Sequence, residues 1–224
     1  MEGMTAMLPY TQPAPYHSQW GEDRWLAENY HLPAHGVFVD VGAGDGVRGS
    51  NSLYFENRGW RGLCVDADPR NHQRLRDRCC AVDTCAVSAT PGLWPFGMYA
   101  HKPSWSGLQR RGTDYQEILV ACRPLEDLLG QCDLLSIDVE GTELDVWDSF
   151  DHTRHRPTIV IVEFDDEHPD RHRHTIHRHL GPDTYELVHE TPANLILHRT
   201  DRPWRRRRRT TPACRSPNCY PTAN

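Results

Sequence analysis

The sequence predicts an α/β fold in which helices cover both faces of a doubly wound, mostly parallel sheet of about seven strands. Short apolar runs alternate with helical patterns along most of the chain. The run TIVIVEF at 158–164 is β-branched and unbroken, which is typical of a strand buried on both faces. A chain of 224 residues can also bury one large core without disulfides or metals.

The elements are predicted in alternating order along the chain. The first helix, at 18–30, has an acidic start and apolar residues at helical spacing. Further helices are predicted at 50–58, 71–78, 142–150 and 170–180, and strands at 36–41, 62–66, 81–87, 133–138, 158–164, 185–189 and 194–198. Right-handed crossovers make most neighbouring strands parallel, and such sheets bind ligands at the carboxyl ends of their strands.

The chain divides into an N-terminal arm at 1–17, one domain at 18–199 and a basic, Pro-rich tail at 200–224. The tail is predicted to be disordered because it has few apolar residues to bury. Within the domain, 88–123 contains several prolines and fits the strand–helix alternation poorly. This segment is therefore predicted to be an insertion beside the ligand site.

Charge and hydropathy limit the partners and the location of the protein. The tail has seven arginines and one acid, whereas the whole chain carries a net charge of −6, so the body is acidic. An acidic body argues against a nucleic-acid surface across it. The sequence lacks an apolar run long enough for a membrane helix and a signal-peptide pattern at Met1, so we expect a cytoplasmic protein with reduced cysteines.

A glycine-rich turn follows the first predicted strand. Gly42, Gly44 and Gly46 would let the backbone approach a ligand closely, although their spacing differs from that of dinucleotide-binding and triphosphate-binding loops. Asp40 would repel a pyrophosphate but suits a cationic, aminoacid-like ligand. Asp66 ends the second strand, where an acid can bind ribose hydroxyls. A turn without a ligand and a surface carboxylate are the alternatives, but the two features together favour S-adenosylmethionine.

Acidic residues follow the fourth and fifth predicted strands. Asp138, Glu140 and Glu163 should lie close together, because the carboxyl ends of adjacent parallel strands share one edge of the sheet. Such a cluster could act as a general base toward a hydroxyl group, or could bind Mg²⁺, Mn²⁺ or Ca²⁺ in preference to zinc. The sequence does not require a metal. Glu143 and Asp166 are better explained as residues at helix starts.

Four segments occur in order and with ordinary spacing between 18 and 199. They are SQ-x-GED at 18–23, FVDVGAGDGV at 38–47 with GSNS at 49–52, GW-x-GLCVD at 59–66 with Pro69, and IDVEGTE at 137–143. This combination resembles the FkbM-type methyltransferases, and the last segment is the most specific. The resemblance implies a Rossmann-like fold of the class I methyltransferase type and methyl transfer from S-adenosylmethionine, usually to a hydroxyl of a sugar or secondary metabolite.

The resemblance also implies roles for individual residues. The methionine part of the cofactor would be held by the glycine-rich turn, the ribose by the acid after the second strand, and the adenine near the end of the third. The cofactor-binding residues would be Asp40, Gly42, Ala43, Gly44, Gly46, Asp66 and Ser88, and the catalytic residues Asp138, Glu140 and Glu163. The acceptor would be a small molecule or a glycan.

Other features leave alternatives open. A non-catalytic, methyltransferase-like binding module, tethered to nucleic acid or a partner by its basic tail, is the second reading of the chain. The histidines at 168–179 are interpreted as a solvated helix face rather than a metal site. Trp94, Trp105 and Tyr99 in the insertion would either stack on an acceptor or fill a core.

Overall fold

The computed structural model describes residues 16–201 and 204–207. Most of the predicted arm, and residues 202–203 and 208–224 of the predicted tail, lie outside this range, so the predictions for them are not addressed by the structure. The helices are α1 (Glu22–Asn29), α2 (Leu53–Glu56), α3 (His72–Leu75), α4 (Glu143–Trp147) and α5 (Arg173–Leu180). The strands are β1 (Val37–Val41), β2 (Arg61–Val65), β3 (Ala81–Asp83), β4 (Ala86–Val87), β5 (Gly92–Met98), β6 (Gln116–Arg123), β7 (Leu134–Ile137), β8 (Ile159–Glu163), β9 (Tyr185–Glu190) and β10 (Asn194–Arg199).

Seven strands form the central sheet in the order β3-β2-β1-β7-β8-β10-β9. The first five are parallel, whereas β10 runs antiparallel to β8 and β9. Strand β7 is buried at every position because apolar clusters cover both faces of the sheet, one containing Leu135 and Val160 and the other Phe38 and Ile161. The predicted doubly wound, mostly parallel sheet is confirmed.

The predicted third strand at 81–87 is wrong as a single element. The chain forms β3 at one edge of the central sheet and then leaves it, so that β4 pairs with β6 in a second, three-stranded sheet. The insertion supplies the rest of this small sheet as the antiparallel pair β5–β6. Phe96 and Val120 on its inner face pack with Ala67 beyond the end of β2, so the insertion has an apolar core of its own.

The described part of the tail, residues 204–207, contacts the body of the protein. The backbone of 205–207 hydrogen-bonds to α1 and its end, with His31 donating to the Arg205 carbonyl at 3.0 Å. The Trp204 ring lies edge-on to Trp60, with 5.7 Å between ring centroids, and packs against the apolar cluster that contains Tyr30. Backbone hydrogen bonds and the packing of Trp204 among aromatic rings together hold this stretch against the body.

The docked tail predicts a stability effect. Trp204→Ala should cost about 2 kcal/mol, less than a fully buried tryptophan because Trp204 is half-buried. A loss of this size lowers Tm by about 4–8 °C in a domain of this length. Trp20→Ala is the matched control, because Trp20 is 47% exposed. Equal Tm values for the two variants in thermal unfolding would show that Trp204 does not contribute to the core.

Among the described residues, the helices are too short and too polar to cross a lipid bilayer.

Candidate functional site

A cleft of about 760 Å³ lies at the carboxyl ends of β1, β2 and β7. Its volume is typical of sites that bind small organic molecules. The walls come from the glycine loop (42–46), from the residues after β2, from the acid loop (138–141) after β7, and from the insertion. Gln19 and Trp20, which precede α1, also line it. The topology therefore brings most of the predicted segments to one place.

The glycine loop is shaped by its neighbours as well as by the cleft. Gly42 has φ of 82°, and a Cβ there would lie 1.6 Å from the Asp138 carbonyl oxygen, so only glycine fits. Gly44 has φ of 58°, and the space where its Cβ would project is open. Gly42 and Ala43 both donate backbone hydrogen bonds to the Val65 carbonyl. The loop thus presents its backbone at Ala43 and Gly44 to the cleft.

Gly46 has a different role from the one predicted. Although it was expected to contact a cofactor, it lies outside the lining of the cleft. A Cβ at Gly46 would lie 2.7 Å from Leu75 Cδ1, on α3. The residue needs φ of 76° and close packing against a helix, both of which favour glycine without any ligand.

Asp40 lies at the end of β1, almost entirely buried below the glycine loop. Its carboxylate accepts a hydrogen bond of 2.6 Å from Ser52 Oγ, which in turn accepts one from Arg78. Burial raises the pKa of Asp40, while Ser52 and the charge of Arg78 oppose that shift. Asp40 borders the cleft and supports the loop through this network.

Asp66 occupies the predicted position at the end of β2, where it lines the cleft. One carboxylate oxygen accepts from Gly44 N at 2.8 Å, and the other accepts from Asp68 N and Asn71 Nδ2. Burial raises its pKa to about 6, although all three hydrogen bonds oppose the shift. This carboxylate therefore ties the glycine loop to the end of β2 at the wall of the cleft.

Ser88 does not lie where the resemblance placed it. Its side chain is buried outside the lining of the cleft, and its hydroxyl accepts a hydrogen bond from Thr90 N. Ala86 and Val87, which form β4, line the cleft instead. The break between β3 and β4 displaces the chain, so that apolar side chains border this end of the cleft and Ser88 faces away.

The acid loop and the end of β8 bring the three predicted carboxylates together. One oxygen each of Asp138, Glu140 and Glu163 lies within 4.8 Å of the others. Glu140 adopts φ of 61°, and it is the only residue other than glycine with a positive φ among 16–201 and 204–207. A strained backbone of this kind persists only where the surrounding structure fixes it. It also gives the side chain a direction that a regular helix or strand would not allow.

Two guanidinium groups balance part of this negative charge. Arg171, buried in a short 3-10 turn after β8, contacts Glu143 through Nε at 3.1 Å and also hydrogen-bonds to Glu163. Arg111, from the insertion, forms an ion pair of 3.1 Å with Glu140. Sequence reasoning missed both arginines. The cluster has the oxygen ligands that a hard divalent cation prefers, but two of its three carboxylates already face a positive charge.

The surroundings shift the acidity of the carboxylates in the cluster. Burial, together with the charges of Glu140 and Glu143, raises the pKa of Asp138 well above its usual range. Burial raises the pKa of Glu140 to about 7, and Arg111 and Arg171 oppose that shift. Burial and the neighbouring carboxylates also raise the pKa of Glu163, but Arg171 holds it in a hydrogen bond that favours the charged form. Burial and mutual repulsion therefore favour a proton held within this cluster of carboxylates.

The insertion packs directly over the acid loop. A Cβ at Gly107 would lie 2.9 Å from the Val139 carbonyl oxygen, and one at Gly141 would overlap the Gln109 side chain. The insertion is held on its other side by Arg70, which donates to the Tyr99 carbonyl and to Ser106 Oγ. The insertion thus forms the part of the cleft wall that faces the acid loop.

Three aromatic residues of the insertion, Trp94, Tyr99 and Trp105, lie outside the lining of the cleft. Tyr99 is buried and hydrogen-bonds to the Arg111 carbonyl, so it fills the core of the insertion. Trp105 is half-buried under the Lys102 ammonium, which lies 3.5 Å from its ring centroid, and Trp94 is 39% exposed. An acceptor-stacking role for these three residues is not supported by their positions.

The histidines at 168–179 have separate partners rather than a common centre. His172 begins α5, where its ring accepts from His174 N, and His179 contacts Asp148 at 2.7 Å. His177 contacts the Tyr185 carbonyl. These three histidines therefore each interact with a different part of the chain.

Two features define a class I methyltransferase-type fold. The first is the strand order, in which the antiparallel strand β10 lies next to β9. The second is the ligand cleft at the carboxyl ends of the parallel strands. A chain of the fibrillarin/Nop5p complex shares this fold with a TM-score of 0.50, at 10% identity over 88% of each chain. A Clostridium thermocellum protein described as an rRNA-methylase aligns with a TM-score of 0.45, at 8% identity over 83% of this chain and 97% of that one.

The family can be stated more closely than the fold. The FkbM methyltransferase domain matches residues 40–190, which include the glycine loop, Asp66 and the acid loop. The chain therefore belongs to the FkbM methyltransferase family. No curated protein matches this sequence.

Proposed function

We propose that this protein transfers a methyl group from S-adenosylmethionine to a hydroxyl oxygen of a sugar or a secondary metabolite. The observation that carries the proposal is the meeting of the glycine loop, Asp66 and the carboxylates of the acid loop in one cleft. The glycine loop and Asp66 are suited to bind a nucleoside joined to an amino acid. The carboxylates are suited to accept a proton from an acceptor group.

The residues present fit the cofactor. The open space above Gly44 admits a ligand against the backbone, and the oxygens of Asp66 suit the hydroxyls of a ribose. Ala86 and Val87 offer an apolar surface for an adenine ring, and the negative charge below and beside the loop suits a sulfonium. When bound, S-adenosylmethionine supplies a methyl group that its positively charged sulfur already makes labile.

The chain's own residues then align the acceptor and accept its proton. Glu140 is the best candidate for the base, because a carboxylate with a pKa of about 7 is ionised in part at neutral pH and is still basic enough to accept a proton. Asp138, whose carboxyl lies beside that of Glu140, would help to position the acceptor hydroxyl. The insertion covers the acid loop and limits the access of water to the reacting atoms.

The shape and polarity of the cleft favour a polyhydroxy acceptor. Beyond the acid loop, the lining includes Ser104, Ser106, Thr142 and Asn194, which together offer hydroxyl and amide groups to a polar ligand. Carboxylates accept hydrogen bonds from hydroxyl groups without the need for a counter-charge. The remaining volume accommodates a small acceptor next to the cofactor.

Binding of S-adenosylhomocysteine, measured by calorimetry, tests the proposal without knowledge of the acceptor. The unmodified chain should bind it, and Asp66→Ala should weaken binding about 10–100-fold, because a charge-assisted hydrogen-bond partner is lost. Asp77→Ala, an exposed acid just after α3, is the matched control. If the unmodified chain failed to bind S-adenosylhomocysteine, the use of this cofactor would be refuted. The better interpretation would then be a non-catalytic binding module.

The acceptor is sought in a second experiment. Extracted small molecules and glycans are incubated with the protein and S-adenosylmethionine carrying an isotopically labelled methyl group. Mass spectrometry then shows whether the label is attached to oxygen, as we propose, or to nitrogen.

A further inference from the structure

The small sheet has an outer face whose middle part is left uncovered by the rest of the described chain. Its inner face carries Phe96 and Val120, which are buried against the body. Its outer face carries Leu93, which is 71% exposed, and Leu119, which is 66% exposed. These are the two most exposed large apolar side chains among residues 16–201 and 204–207.

The apolar residues of the outer face are contiguous. Leu93 is paired with Ala121 across the two strands, and Pro95 is paired with Leu119. Side chains at paired positions lie about 5 Å apart, so these four form one patch. A contiguous exposed apolar patch of this kind is typical of a surface that binds another protein.

We infer that two copies of this chain associate through this outer face. Along β6, the outward side chains follow the order Glu117, Leu119, Ala121, Arg123. If two copies of this strand lie antiparallel, an acid faces a base at each end and a large apolar residue faces a small one in the middle. A two-fold axis that crosses the strand at Val120 would place Glu117 of one copy against Arg123 of the other. The same axis would place the large Leu119 against the small Ala121.

The two charged residues, Glu117 and Arg123, are exposed enough to make this contact. Glu117 forms an ion pair with Arg110, and Arg123 forms one with Asp83, but the two side chains keep 47% and 42% of their surface exposed. Exposed ion pairs contribute little to stability, so either residue can exchange its partner at low cost. Face-to-face packing of two twisted sheets is a common arrangement and accommodates such an antiparallel contact.

The size of the patch sets the strength of the association. Two short strands on each side bury less area than a standard interface, so we expect a dimer that dissociates in the micromolar range. The inference is independent of the proposed methyl transfer. The cleft is lined by Phe96 on the inner face of the small sheet, whereas the contact between copies would use the outer face.

Sedimentation velocity over a concentration series tests the inference with the full chain. The unmodified protein should convert from monomer to dimer as its concentration rises. Leu119→Asp should weaken the association at least about tenfold, because it buries a charge in the apolar centre of the contact. Val47→Asp, at an exposed apolar residue outside the small sheet, should leave it unchanged. A protein that stays monomeric throughout the series would overturn the inference.

Charge reversal tests the register of the contact. Glu117→Arg alone and Arg123→Glu alone should each weaken the dimer about tenfold, because each places like charges opposite one another. The double variant should recover most of the affinity, since the two reversed residues face each other across the two-fold axis. Unchanged dimer affinity in both single variants would contradict the arrangement. So would a double variant that dimerises more weakly than either single variant. Circular dichroism confirms that each variant is folded.

Discussion

Gly44→Val should reduce the affinity for S-adenosylhomocysteine at least about 100-fold, because a branched side chain would fill the space into which the ligand must fit. The Cβ of this residue would project into open space, so the substitution meets no protein atom within 4 Å. The loss should therefore come from the ligand's side of the loop. The measurement is calorimetric titration of the folded variant.

Backbone strain is the competing explanation, and it has a matched control. Gly59 also has a positive φ, 89°, and open space at its Cβ position, but it lies outside the lining of the cleft. Gly59→Val therefore carries a comparable strain without blocking a ligand. If Gly44→Val bound as tightly as Gly59→Val, the glycine loop would not be the cofactor site.

The parts of the fold that depend on periodicity could be predicted from the sequence. The strand at 158–164 was recognisable because its apolar run is continuous, and the glycine loop because a strand precedes it. The split of 81–87 into β3 and β4 could not be predicted, since AVDTCAV has the same apolar character on both sides of the break. Which sheet a short strand joins is decided by tertiary packing rather than by its own residues.

The site shows the same limit at the level of side chains. A position at a strand end predicts nearness to the cleft, and Asp66 and the acid loop are both there. It does not predict the direction in which a side chain points, and Gly46 and Ser88 face protein instead. Trp204 was missed because one aromatic residue among arginines has no periodicity to detect.

Arg171 gave no signal in the sequence because its partners are distant along the chain. It lies among histidines that were interpreted as a solvated face, whereas Glu143 is 28 residues away. Carboxylates this close together raise one another's pKa unless a cation or a basic group lies among them. The structure supplies Arg171 and Arg111 as such groups.

Glu140→Gln should lower the rate of methyl transfer by about 10²–10⁴-fold, because the amide cannot accept the proton of the acceptor hydroxyl. The substitution keeps the size of the side chain, and the carboxylate lies outside the predicted cofactor-binding set, so S-adenosylhomocysteine should bind to the variant nearly as well as to the unmodified protein. Glu167→Gln, an exposed acid after β8, is the matched control. Initial rates of S-adenosylhomocysteine release with the identified acceptor provide the measurement.

The pH dependence distinguishes a base from a residue that only fills space. Burial raises the pKa of Glu140 to about 7, and the carboxylate must be ionised to accept a proton, so the rate should rise with pH and reach half its maximum near that value. Nuclear magnetic resonance of ¹³C-labelled glutamate carboxyl groups should show a titration near the same pH that Glu140→Gln removes. Arg111→Met should move both midpoints upward, because the guanidinium favours the charged carboxylate. A rate that keeps its pH profile in Glu140→Gln would show that another group takes the proton.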